Sequence, residues 1–253
     1  MIVLNENDWA YEMIQSESLG RKPYETLCRV ARYYIEEKEY SKKETRMELE
    51  RFLIKCEPTA SIPKWSNTLD RVMNVAYKYK SVCIDELTIT KKEMELIDSL
   101  DSRQARRLAF TLLCLSKYWD LVSNSDKHWV NSKDSEIMRL ANINTSIKRQ
   151  SLLYHTLNEK GMIEFSKKVD NTNVRVLFGD YNDNHEIAMV ITDTRNLGYQ
   201  YMMYHGEPYF ICENCGVTTK MRNPNVGRKQ KYCTDCANKI KMQQIINSVM
   251  RNS

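Results

Sequence analysis

Glycine and proline are sparse in this chain, and no long apolar run occurs. Seven glycines and five prolines among 253 residues leave little material for Gly-rich loops that cradle phosphates, and no Walker loop is present. A His-Glu-x-x-His helix, a nucleophile elbow and a paired acid cluster at metal-ligand spacing are also missing. The four histidines, His128, His155, His185 and His205, lie far apart in different local contexts. The chain therefore does not read as an enzyme. No segment approaches the roughly 18 to 20 apolar residues that a membrane span needs. The opening stretch MIVLNENDWAYEMIQ lacks the positive flank and small-residue cleavage site of a secretory signal. Those two absences predict a cytoplasmic protein with no membrane partner.

What is present is ordinary in bulk and uneven in detail. Apolar residues make up 42% and charged residues 28%, enough for a chain of this length to bury a sizeable core. The formal charge is +5. Residues 1–20 hold four acids and no base, whereas residues 213–251 hold eight Lys/Arg against two acids. A basic tail of that kind suits either a polyanion partner or a solvated surface.

The eight cysteines fall into two groups. Cys28, Cys56, Cys83 and Cys114 are isolated beside apolar runs, as expected of small packed hydrophobes. Cys212, Cys215, Cys233 and Cys236 form two Cys-x-x-Cys pairs separated by seventeen residues. Thiolates so spaced hold a metal ion in a chain kept in a reducing compartment.

Helix signals begin at Pro23, with Leu27, Val30, Tyr34 and Ile35 at helical spacing; the first twenty residues read as a loose lead-in or a packed helix. Ser41 with Glu44 forms a capping box that opens a helix to about Lys55. EPTASIP breaks it, and a third helix is expected from about Ser66 to Lys80. VCIDELTIT reads as a strand, and a second capping box, Thr90 with Glu93, starts a short helix. Three helices and then a strand over residues 23–89 leave two readings open, a second helix-turn-helix unit or a plain helical bundle.

RQARRLAFTLLCLSKYWDL is the clearest core helix. After it come the strand-like HWVN, a helix from about Lys133 to Ala141, the turn NINT, the helix SIKRQSLLYHTLNEK stopped at Gly161, and two strand-like runs. That order over residues 102–178 predicts a winged helix-turn-helix. A helical wheel of its last helix groups Ile147, Leu153, Tyr154 and Leu157 inward. Lys148, Arg149, Ser151, Leu152 and His155 point outward. Candidate nucleic-acid contacts are Lys148, Arg149, Ser151 and His155, with Lys167, Lys168 and Arg175 on the wing. The same face also suits a protein partner. IAMVIT reads as a further strand and residues from Thr192 to Tyr204 as a helix. Tyr199, Tyr201, Tyr204 and Tyr209 fit core packing better than a base-stacking platform.

Four thiolates satisfy Zn²⁺ tetrahedrally without an open position. Gly216 after Cys215 allows the backbone turn of a knuckle. The second pair opens a helix, which suggests a treble clef, with a two-knuckle ribbon as the alternative. Structural Zn²⁺ is thus expected on Cys212, Cys215, Cys233 and Cys236. Lys220, Arg222, Arg228, Lys229 and Lys231 make the loop between the pairs a candidate phosphate-contacting surface.

The expected fold is mainly α with some β (α+β), in three parts. Residues 1–100 form a helical domain, 101–186 the winged helix-turn-helix, and 187–253 an aromatic connector with the four-cysteine module. RRLAFTLLCLSKYW, WVNSKDSEIMRLANI, KRQSLLYHTLNEKGMIEFSKKVDNTNVRVLF and CENCG with KYCTDCANKIK resemble proteins of phages and mobile elements in Gram-positive bacteria. Those proteins pair a winged-helix-like middle with a C-terminal four-cysteine module. The resemblance spans about residues 20–241 and implies a phage-type protein working in the cytoplasm of a bacterial host; it brings no activity with it. The expected function is double-stranded DNA binding, as a transcriptional regulator or replication accessory factor. The alternative is an adaptor that docks on a host polymerase, nuclease or defence complex. Ile240, Ile245, Ile246 and Val249 suit either a homodimer contact or a stripe packed on the body of the protein.

Overall fold

Capping chemistry decides where many of the helices begin. In the computed structural model, which describes residues 2–167, 173–180, 186–222 and 230–251, the chain divides into compact units at residues 2–85 and 86–253. The fold is mixed helix and sheet, and no described helix is long and apolar enough to cross a membrane.

The unit of residues 2–85 is built from α1 (Glu6–Gln15), α2 (Pro23–Glu36), α3 (Lys42–Cys56) and α4 (Ile62–Lys78). The acidic lead-in is a helix because the Asn5 side chain accepts the backbone N–H groups of Asn7 and Asp8 and caps α1. Ser41 and Glu44 make the expected capping box on α3. The start of α4 differs from the expected one at Ser66. Pro63 sits in its first turn, where the missing N–H costs nothing, so the helix starts at Ile62. Leu27, Val30, Ala31, Leu49, Leu53, Leu69 and Val72 form the core. Glu6 is buried there between Arg29 (2.8 Å) and Arg32 (2.5 Å) and also accepts the Val82 N–H at 3.2 Å. Burial acts to raise its carboxyl pKa, but the two guanidinium groups hold it below the ordinary value of 4.5. Of the isolated cysteines, Cys28 and Cys114 are buried, whereas Cys83 is exposed.

Strand formation in VCIDELTIT is shorter than expected. Only β1 (Leu87–Thr90) forms, and its antiparallel partner is β5 (Ile187–Ile191), so both strands lie in the unit of residues 86–253. The helices of residues 2–85 are thus not followed by a strand of their own; the Asn5–Cys83 bridge closes that unit.

The second unit continues with α5 (Lys91–Asp98), α6 (Arg103–Ser123), β2 (Trp129–Val130), α7 (Asp134–Leu140), α8 (Ile147–Glu159), β3 (Ile163–Phe165) and β4 (Val174–Val176). After β5 come α9 (Leu197–Tyr204), β6 (Tyr209–Ile211), β7 (Thr218–Lys220) and α10 (Thr234–Arg251). α6 is its centre: Leu108, Phe110, Leu112, Leu113 and Leu115 are all fully buried. α5, α7, α8 and α9 and strands β1, β2 and β4 pack around it. Strands β2, β4 and β3 form one antiparallel sheet in that order, and β6 pairs with β7. Glu93, which also completes the Thr90 capping box, is fully buried and meets the Lys117 ammonium at 2.8 Å.

α7 and α8, like α6 and α9, end on left-handed residues. α7 stops at Asn142 (φ 55°), with the Ile143 N–H on Met138 O and the Asn142 N–H on Arg139 O. α8 stops in the same way at Gly161 (φ 69°). Both are Schellman motifs. α9 begins at Leu197 rather than at Thr192, because Asp193 accepts the Arg195 backbone N–H and Asn196 is left-handed (φ 54°). Tyr201 and Tyr209 are buried and Tyr199 packs on Tyr209 at 4.8 Å, so most of the tyrosine set serves the core. Tyr204 is exposed.

Candidate metal centre and the exposed face of α8

The four cysteines selected by spacing meet in space. One ligand atom from each of Cys212, Cys215, Cys233 and Cys236 lies within 4.8 Å of all the others. Cys215 Sγ and Cys233 Sγ are 3.8 Å apart, which matches the edge of a tetrahedron with Zn–S bonds of about 2.3 Å, roughly 3.8 Å. The donor set and its spacing therefore fit a four-thiolate metal site.

Local structure explains the convergence. Cys212 to Cys215 form the loop that closes the β6–β7 hairpin, with the Cys212 N–H on Val217 O and the Gly216 N–H on Cys212 O. Gly216 has φ 70°, a conformation that disfavours any side chain. Cys233 precedes α10 and Cys236 lies in its first turn, where the helix N-terminus favours thiolates. Backbone N–H groups aim at sulfur: Cys233 N donates to Cys212 Sγ at 3.3 Å and Cys236 N to Cys233 Sγ at 3.4 Å. The Asn214 side-chain amide donates to Cys236 Sγ at 3.3 Å.

These contacts divide the thiols electrostatically. Burial works against a Cys212 thiolate, yet the backbone donors of Cys233, Cys215 and Asn214 hold that thiol down to about 6. Burial, joined by the sulfurs of Cys236, Cys212 and Cys233, pushes Cys215 up to about 12 against the single backbone donor of Val217. Burial also raises Cys233. The thiolate is thus favoured at Cys212 and opposed at Cys215. A dication held by the four sulfurs would remove that conflict by favouring the thiolate form of each.

The basic residues between the pairs are less uniform than their sequence suggests. Lys220 is exposed at the end of β7. Arg222 donates to Thr234 Oγ1 at 2.8 Å and Lys231 pairs with Glu213 at 3.3 Å. Arg228 and Lys229 lie outside the described residues, as does Lys168.

On α8 the inward set holds for Leu153, Tyr154 and Leu157 but not for Ile147, which is 81% exposed. Helical side chains tilt toward the N-terminus, so the first residue of α8 reaches past the surface its later turns bury. Lys148, Arg149, Ser151, Leu152 and His155 are exposed, as expected. The His155 ring lies 5.5 Å from that of Phe165 on β3. Lys167 is exposed; Arg175 is half-buried, paired with Glu164 at 3.2 Å and donating to Lys127 O at 3.0 Å. A groove of about 570 Å³ between α7 and α8 is lined by Met138, Ile143, Ile147 and Gln150, with Asp134 and Arg139 among its polar residues.

Several residues that sequence reasoning passed over connect these two regions. The Arg195 guanidinium donates to Cys215 O at 2.6 Å, and Asn196 donates to Thr218 O at 2.9 Å. Gly198 lies against the backbone of Ala141. The signal available in the sequence was thin: an Asn directly after each of two short segments, in LAN and TRN, where left-handed backbone is common.

Comparison of the chain with protein-family models, with curated proteins and with solved structures gave no match.

Proposed function

We propose that this is a phage-type DNA-binding protein whose winged helix-turn-helix presents α8 to duplex DNA and whose C-terminal module is a treble clef folded on structural Zn²⁺. The observation that carries the reading is the succession α6, β2, α7, turn, α8, β3, β4 with the sheet order β2-β4-β3. In a winged helix the last of those helices is the major-groove reader. Lys148, Arg149, Ser151 and His155 on its exposed side supply cationic and hydrogen-bonding groups of the kind that meet phosphates and base edges. Lys167 and Lys220 are exposed and extend the set of phosphate contacts, whereas Arg175 is committed to Glu164. The phage assignment is supported by the sequence resemblance. This is a binding role, as a transcriptional regulator or replication accessory factor, rather than a catalytic one.

One observation favours a protein partner instead. Ile147, Leu152 and Phe165 are exposed beside the basic residues, and Met242, Ile245, Ile246 and Val249 are exposed at helical spacing on α10. An adaptor docking on a host complex, or a homodimer, would cover such apolar groups.

Fluorescence anisotropy of zinc-loaded protein with random duplex DNA across a salt series separates the readings. DNA reading requires micromolar binding that falls steeply with salt. Absence of binding even at low salt would refute it and leave the adaptor.

A further inference from the structure

We infer that Asn142 and Asn196 are positioning residues that tie the presentation of α8 to the metal centre. Asn142 stands in the turn between α7 and α8, and the start of α8 depends on how that turn is held. Its side-chain amide donates to Asn196 Oδ1 at 3.0 Å, and its Oδ1 accepts the Tyr199 backbone N–H at 3.1 Å. Asn196 in turn donates to Thr218 O at 2.9 Å, on the strand after the Cys212–Cys215 loop. A second strut runs beside the first: Arg195, clamped by both Asp193 oxygens, donates to Cys215 O at 2.6 Å. The Arg107 guanidinium fixes the other side of the turn by donating to Asn142 O at 3.1 Å.

Each amide in this chain is half-buried; that of Asn142 is directed at Asn196 and Tyr199, and that of Asn196 bridges Asn142 and Thr218. Such a chain transmits order only while both ends are fixed. The turn end is fixed by the Schellman stop of α7. The other end is a hairpin whose loop is made of two cysteine ligands, and a module of that size is ordered by its metal. Loss of the ion therefore loosens Thr218 and Cys215, then Asn196, and then the turn that begins α8. α6, with its own fully buried leucines, has no such dependence.

The inference rests on the metal reading and is independent of what α8 binds. Zinc content of the full chain is measured first; a chain that holds no zinc overturns both readings. Hydrogen exchange is then followed by mass spectrometry in zinc-loaded and chelator-stripped protein. Removal of zinc should speed exchange in residues 141–150 about tenfold, the factor expected from loss of one directed hydrogen bond. Exchange across residues 103–123 should not change. Because both asparagines have positive φ, Asn142→Gly and Asn196→Gly delete the amides and keep the backbone. Each should give the same local loosening with zinc content intact, and the double variant should add little to the larger single effect. Zinc-loaded protein whose residues 141–150 exchange no faster after stripping would overturn the inference, as would single effects that add in full.

Discussion

Gly198→Ala sets two physical effects of opposite sign against each other. Gly198 is the second residue of α9, and a helix gains about 1 kcal/mol when an interior Gly becomes Ala. Helix propensity alone therefore predicts a more stable protein. The structure predicts the reverse. A Cβ at Gly198 would lie 2.0 Å from Ala141 O and 2.5 Å from Ala141 C. Both are backbone atoms of the α7 C-cap, so no side chain can swing aside. Relief to even 3.0 Å needs a movement of about 1 Å between α9 and α7, and overpacking of that kind costs about 1–3 kcal/mol. The same movement stretches the Tyr199 N–H to Asn142 bond and the Asn142–Asn196 bond, each worth about 1 kcal/mol. After the propensity gain is set against these, the net loss is about 2–4 kcal/mol. For a unit of this size that lowers the melting temperature by roughly 5–15 °C. Circular dichroism on heating or in urea measures it. Gly161→Ala serves as the comparison: nothing lies within 4 Å of its added Cβ, and only the backbone conformation at φ 69° is strained, a cost of about 1–2 kcal/mol. A Gly198→Ala protein as stable as the wild type, or more so, would refute the claimed close approach.

Glu6→Gln leaves Arg29 and Arg32 without their buried carboxylate and should cost about 3–5 kcal/mol in urea unfolding. Because the folded pKa of Glu6 lies below 4.5, its contribution is complete above that value and lost as pH falls through the folded pKa. The variant should show a flatter acid limb, read from unfolding midpoints between pH 6 and 3. Cys233→Ser should abolish stoichiometric zinc, measured by elemental analysis, and loading of the wild-type apoprotein should release protons, because at least the Cys215 thiol is protonated near neutrality. Lys148→Ala or Arg149→Ala should change sequence preference in selection from random duplexes. Lys220→Ala should weaken binding to all sequences and reduce the salt slope by about one; an unchanged slope would remove Lys220 from the phosphate contacts.

Much of the chain is legible from its residues alone. Ser41 with Glu44 and Thr90 with Glu93 announce their helices because a capping box is local, its two partners separated by one turn. The four-cysteine cluster is legible for a similar reason. Cys-x-x-Cys with Gly next to it constrains the chain over a few residues, and the requirement for four sulfurs pairs the two motifs. The α6 to β4 order comes from periodicity and from Gly161. The tertiary structure alone decided the rest. That β1 pairs with β5, about a hundred residues away, depends on which edges remain after the helices pack, and no local pattern encodes it. Ile147 fits the inward face on a wheel but lies past the end of the packed surface. Gly198 reads as a weak helix residue until Ala141 is seen against it. The polar chain from Asn142 through Asn196 to the cysteine loop joins positions distant in sequence. Its meaning comes from where folding places them, since a single Asn carries no mark of the partner its amide will find.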